Sequence, residues 1–160
     1  HWQMIGHALS DPKHLDLDGV PDNKGLYAPT IRYHQGTFYV ACTMVRGPGN
    51  FLSTSTVDNF VVTATDPAGP WSEPHWIDAP GIDPQLFFDD DGKVYYIGPE
   101  TKPENQQWQQ HWDIWVQEID TTSWELIGER KTIISPLDSI AKGVPQNFVN
   151  NFEGHKRSVK

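Results

Sequence analysis

The feature that most constrains the fold of this chain is an internal repeat of strand, tight turn and aromatic strand. Ala28-Pro29-Thr30-Ile31-Arg32-Tyr33-His34-Gln35 runs into Gly36-Thr37-Phe38-Tyr39-Val40. Asp83-Pro84-Gln85-Leu86-Phe87-Phe88-Asp89-Asp90-Asp91 then runs into Gly92-Lys93-Val94-Tyr95-Tyr96, and the two starts lie 55 positions apart. A second element also recurs, because Trp2-Gln3-Met4-Ile5-Gly6 matches Trp124-Glu125-Leu126-Ile127-Gly128. Between these, Phe60–Asp66 and Asp113–Asp120 read as third strands, each closed by an Asp-led turn. Pro67-Ala68-Gly69-Pro70 and Thr121-Thr122-Ser123 supply those turns. Each unit therefore holds about four strands in about fifty residues, the length and content of a propeller blade. A two-layer sandwich shares the regular strand spacing and stays open at this point. Helix is expected to be almost absent, since Pro or Gly interrupts nearly every stretch.

The register of the repeat divides the chain. Residues 1–24 read as the end of a preceding blade and a linker, 25–80 as one blade, 81–135 as the next, and 136–160 as the truncated start of another. Within the first segment, Trp2 to Leu9 reads as a closing strand. With His1-Trp2 at its start and no initiator Met, the sequence reads as an excerpt.

The formal net charge of −9 makes nucleic acid a poor partner, because a negative surface repels phosphate backbones. A neutral ligand such as a sugar is compatible with it. No apolar run approaches the ~20 residues of a membrane span. The single cysteine, Cys42, excludes an internal disulfide and reads as a small buried apolar residue on an aromatic-rich strand. Asp89-Asp90-Asp91-Gly92 reads as a hairpin turn rather than a cation site. Asp16-Leu17-Asp18-Gly19 lacks the Glu of a helical calcium loop. The seven His residues show no ligand spacing, so His7, His34 and His75 read as strand or surface positions. No metal site and no cofactor are read from this sequence.

Leu15-Asp16-Leu17-Asp18-Gly19, Gly25 to Tyr33, Thr65-Asp66-Pro67-Ala68-Gly69-Pro70-Trp71 and Ile82 to Gly92 together resemble glycoside hydrolase family 43. That family comprises β-xylosidases, α-L-arabinofuranosidases and arabinanases on a five-bladed β-propeller. The resemblance runs from Trp2 to about Ile134 and rests on several motifs in order. It implies an all-β fold, here two to three blades of the five, and a carbohydrate substrate. The family often has a structural cation in the central channel, and the His associated with it belongs to a later blade.

Inverting hydrolysis uses one carboxylate to activate water and one carboxylic acid to protonate the leaving oxygen, roughly 6.5–9.5 Å apart. In the family a third carboxylate, an Asp, orients the acid and tunes its pKa. The resemblance carries that role onto Asp83. The repeat gives the position separate weight, because Asp83 aligns with Ala28, where no charge is possible. The competing reading of Asp83 is a turn residue before Pro84. Glu153, in Glu153-Gly154-His155, partly matches the Glu-Gly-Pro-His stretch of the general acid but lacks its Pro and the aromatic strand expected next. Glu153 is therefore either the acid beside a truncation or a Glu in a frayed tail. The general base is expected in a segment preceding Trp2.

Tyr27 occupies a place where the family usually has a Trp walling the sugar pocket, and a Tyr face can also stack on a sugar ring. Arg32 and Phe87-Phe88 read as structural, and the basic tail from Lys156 to Lys160 as solvated. The expected activity is release of xylose or arabinose by the complete enzyme, with this portion alone inactive and able to self-associate through its open propeller edge. A non-catalytic carbohydrate-binding propeller is the alternative. A fructan-cleaving relative ranks lower, because its comparable motif is Arg-Asp-Pro where this chain has Ile82-Asp83-Pro84.

Overall fold

The computed structural model of the chain describes residues 1–47, 56–101 and 111–136. Among the described residues the elements are eight strands: β1 (Gly25–His34), β2 (Thr37–Val45), β3 (Val57–Ala64), β4 (His75–Ile77), β5 (Gln85–Phe88), β6 (Val94–Glu100), β7 (Asp113–Asp120) and β8 (Glu125–Ile134). They form two four-stranded antiparallel sheets in plain sequential order, β1-β2-β3-β4 and β5-β6-β7-β8.

Local chemistry explains the turns. Gln35 and Gly36 between β1 and β2 both take left-handed backbone angles, φ 46° and 85°, the geometry that matches a two-residue hairpin to strand twist. The aspartates after Phe88 close the second hairpin, with the Asp89 N–H donating to Lys93 O at 2.9 Å and the Gly92 N–H to Asp89 O at 3.1 Å. Asp66 and Asp120 start their turns by accepting the N–H two residues on, Ala68 at 2.8 Å and Thr122 at 2.7 Å.

The second and third strands of the first sheet are apolar on both faces, as strands covered on both sides must be. On one face Cys42, Met44, Phe60 and Val62 are buried with Leu15, while Ala8, Leu9 and Val20 pack around them. On the other, Ala41, Val61 and Ile77 meet Leu86, Tyr96, Trp115, Ile119 and Trp124 of the second sheet. Tyr96 stacks on Trp115 with ring centroids 5.1 Å apart, and both are fully buried at this inter-sheet layer. The first strands of the two sheets also touch at their edges. The Thr30 hydroxyl donates to Pro84 O at 2.8 Å, and Arg32 Nη2 donates to Gln85 Oε1 at 3.0 Å. Meander sheets packed face to face with their first strands converging are blades around an axis rather than halves of a sandwich.

Residues 2–9 differ from the sequence expectation. They form no strand, and Trp2, Met4 and Ile5 are exposed. A strand persists only against an edge that takes its backbone hydrogen bonds, and none of the eight strands pairs with this segment. Gly6 instead lies against the Asp66-led turn, where a Cβ would come within 2.8 Å of Ala68 O.

Candidate active site

Asp83 stands between the sheets, just before β5, in a left-handed conformation with φ 54°. Ala28, its counterpart in the repeat, is also left-handed, with φ 30°, at an irregularity in the β1–β2 pairing. Both residues precede a proline, a position that normally holds the chain extended. Two blades thus share one unusual backbone kink at the same place, one carrying a carboxylate and the other a methyl.

The kink at Asp83 is gripped from below by the first blade. The Asp83 N–H donates to the Thr43 hydroxyl at 3.0 Å, and that hydroxyl donates to Asn59 Oδ1 at 2.7 Å. Asn59 Nδ2 donates to two carbonyls of the connecting segment, Ala79 O and Gly81 O, each at 3.0 Å. Thr43 and Asn59 are fully buried. Two carbonyl acceptors require the amide nitrogen to face them. Asn59 Oδ1 therefore accepts from Thr43, and the Thr43 oxygen is left to accept from Asp83. Only one orientation of each side chain satisfies the whole set.

Tyr27 joins the same neighbourhood, because it is the cross-strand partner of Thr43 in the β1–β2 register. Its hydroxyl donates to Asn23 O at 3.3 Å. Beneath it, the Cys42 thiol lies 3.1 Å from Tyr27 O. Thr43 thus neighbours two of the residues singled out in the sequence, Asp83 through its N–H and Tyr27 through the strand register. Glu153 falls outside the described residues. Arg32 ties β1 to β5, consistent with the structural role read from the sequence.

Electrostatics distinguish Asp83 from other carboxylates. Partial burial raises its pKa above the ordinary value of 3.8. Burial also pushes the Cys42 thiol up to about 11, offset in part by its contacts with Thr43 and Tyr27 and augmented by the Asp83 charge. Tyr96 is raised by burial first and by Asp83 second. Glu100, only 6% exposed, is instead ion-paired to Arg130 at 2.9 Å. Among the described residues no group of three or more His, Cys, Asp and Glu side chains is arranged to hold a metal ion.

A buried thiol with so high a pKa should be inert, since the thiolate is the reactive form. Cys42 is expected to leave a chromogenic disulfide reagent unreacted in the native protein at about pH 8, and to titrate fully once urea unfolds it. Rapid native reaction would mean that the layer beneath Tyr27 opens readily.

Thr43 and Asn59 were missed in the sequence. Asn59 did carry a signal, because it shares a strand face with Val57 and Val61, where a polar side chain needs a buried partner. The acceptors of its amide could not be named, because Ala79 and Gly81 offer only backbone oxygens.

The model for glycosyl hydrolases family 43 matches residues 1–150. A xylosidase/arabinosidase of Butyrivibrio fibrisolvens is 46% identical over 136 residues, which make up 83% of this chain and 24% of that protein. A non-reducing end alpha-L-arabinofuranosidase of Bacteroides ovatus is 46% identical over 103 residues, covering 64% of this chain and 18% of that protein. Among solved structures, a xylan beta-1,4-xylosidase from Bacillus halodurans superposes with a TM-score of 0.74 at 31% identity, over 84% of this chain and 25% of that one. The chain thus spans about a quarter, or less, of the length of these relatives. Its two sheets are blades of a five-bladed β-propeller. This chain belongs to glycosyl hydrolases family 43.

Proposed function

We propose that the protein hydrolyses xylosidic or arabinofuranosidic bonds with inversion, and that Asp83 orients the general acid and raises its pKa. The observation that carries this reading is the placement of Asp83. A half-buried carboxylate, raised in pKa, stands on a rigidly held kink where the sibling blade has Ala28. Its charge disfavours ionisation of a neighbouring acid, which keeps that acid able to donate a proton. Family membership supports the reaction class, and the xylosidase and arabinofuranosidase names of the relatives support the sugar.

Within this reading Tyr27 offers its ring to the bound sugar, and Glu153 supplies the proton. The base comes from a part of the propeller outside residues 1–160. The isolated chain is accordingly expected to be catalytically silent, because inverting hydrolysis needs both the acid and the base. The test is hydrolysis of nitrophenyl β-xyloside and nitrophenyl α-arabinofuranoside by the complete protein and by the 160-residue chain. The anomer first released is read by NMR. Turnover with inversion by the complete protein alone supports the reading. Sugar binding without turnover by the complete protein would instead favour a binding module.

A further inference from the structure

We propose that Thr43 and Asn59 are positioning residues for Asp83: together they clamp its main chain, and so the aim of its carboxylate, from the neighbouring blade. The inference rests on the role proposed for Asp83 and extends it to residues that no sugar need touch.

The argument starts from what holds Asp83. Its own φ of 54° lies in a region that non-glycine residues visit at a cost, and the following proline adds to that restriction. A strained residue keeps its conformation only if its surroundings impose it. Here the imposing contacts come from β2 and β3 of the first blade. Thr43 accepts the Asp83 N–H, and Asn59 bonds the carbonyls of Ala79 and Gly81 on the segment leading into Asp83. Thr43 and Asn59 are joined to each other at 2.7 Å, so the clamp is a single unit.

Burial makes the clamp rigid. The Thr43 and Asn59 side chains are themselves fully buried, so breaking one of their bonds leaves a buried polar atom unmatched. The carboxylate begins only one carbon from the clamped main chain, so rotation of that main chain re-aims it directly. Arrangements of acid and orienter lose rate steeply when displaced by about an ångström. The first blade therefore fixes the geometry of a group carried by the second.

The test uses the complete protein with Thr43→Val, which keeps the shape and removes the hydroxyl, and Thr43→Ser, which restores it. Thr43→Val is expected to lower kcat by roughly tenfold or more with little change in KM, as for an interaction made chiefly in the transition state. Thr43→Ser should recover most of the loss. In an Asp83→Asn background, Thr43→Val should cost almost nothing further, because the group it aims has already been removed. If Thr43→Val does not fold, Thr43→Ala, which leaves room for a water beside the Asp83 N–H, takes its place in the same cycle.

Three outcomes separate the ideas. Full activity of Asp83→Asn would overturn the role proposed for Asp83, and with it this inference. An inactive Asp83→Asn beside a Thr43→Val of unchanged kcat would overturn the clamp alone. An equal loss from Thr43→Val in both backgrounds would likewise overturn it, reducing Thr43 to a general packing residue.

Discussion

Under the role proposed for it, Asp83→Asn in the complete protein should lower kcat by about 10²–10⁴-fold, the usual share of a general acid–base contribution, with KM nearly unchanged. The alkaline limb of the pH–rate profile should also move to lower pH. Without the Asp83 charge nothing holds the acid's pKa up, so the acid loses its proton earlier.

The same substitution should not weaken the fold at neutral pH. Burial raises the folded-state pKa of Asp83 above 3.8, so the folded chain holds this proton to higher pH than the unfolded one. Stability therefore falls as pH rises through that window, and the loss is fully present at neutral pH. Asparagine cannot ionise and escapes this loss. Its melting temperature at pH 7 should equal or exceed that of the parent, and any advantage should shrink as the pH falls to the ordinary carboxylate range. A variant both inactive and clearly less stable at neutral pH would mark Asp83 as a turn residue instead. Cys42 and Tyr96 feel the Asp83 charge, but both stay neutral across this range and add no competing titration.

Gly81→Ala should be the most damaging small substitution in the connecting segment. Gly81 has φ 86°, and a Cβ there would collide with Pro99 O and sit 2.9 Å from Pro99 C. Both atoms are backbone of the strand β6, so neither can swing aside. The segment would have to move, and Gly81 O is one of the two carbonyls that Asn59 holds. The expected loss is about 3–5 kcal/mol, at the extreme of single substitutions, and it should appear in urea unfolding. Gly36→Ala separates the causes, because Gly36 has φ 85° with nothing within 4 Å of its added Cβ. It should cost only about 1 kcal/mol, the left-handed penalty alone. Equal losses at the two glycines would show that backbone angle, and not the approach to Pro99, governs Gly81.

Much of the fold was legible because a propeller writes itself as a repeat. Ala28 and Asp83 mark the same position in two blades, and the apolar runs Phe60-Val61-Val62 and Tyr95-Tyr96-Ile97 announce strands covered by neighbours. The fourth strand of the first blade, His75-Trp76-Ile77, was not singled out, since three residues are too short for a period to show. Residues 2–9 misled for a different reason. Their likeness to Trp124–Gly128 is one of sequence, whereas a strand is a property of an edge and its partner.

The proposed site was legible in the sequence only where a charge stands in an apolar motif, as at Asp83. It was illegible where chemistry is a hydroxyl bonded to a main-chain N–H. Thr43 looks like any strand threonine until Asp83, 40 positions on, is folded against it.

The left-handed kink at Ala28 has a consequence for how such a site could arise. The backbone there already adopts the unusual turn that Asp83 uses, with only a methyl to show for it. Ala28→Asp would set a carboxylate on the same kind of kink as Asp83. One backbone shape before a proline thus serves two blades, and the charge is carried by the side chain alone.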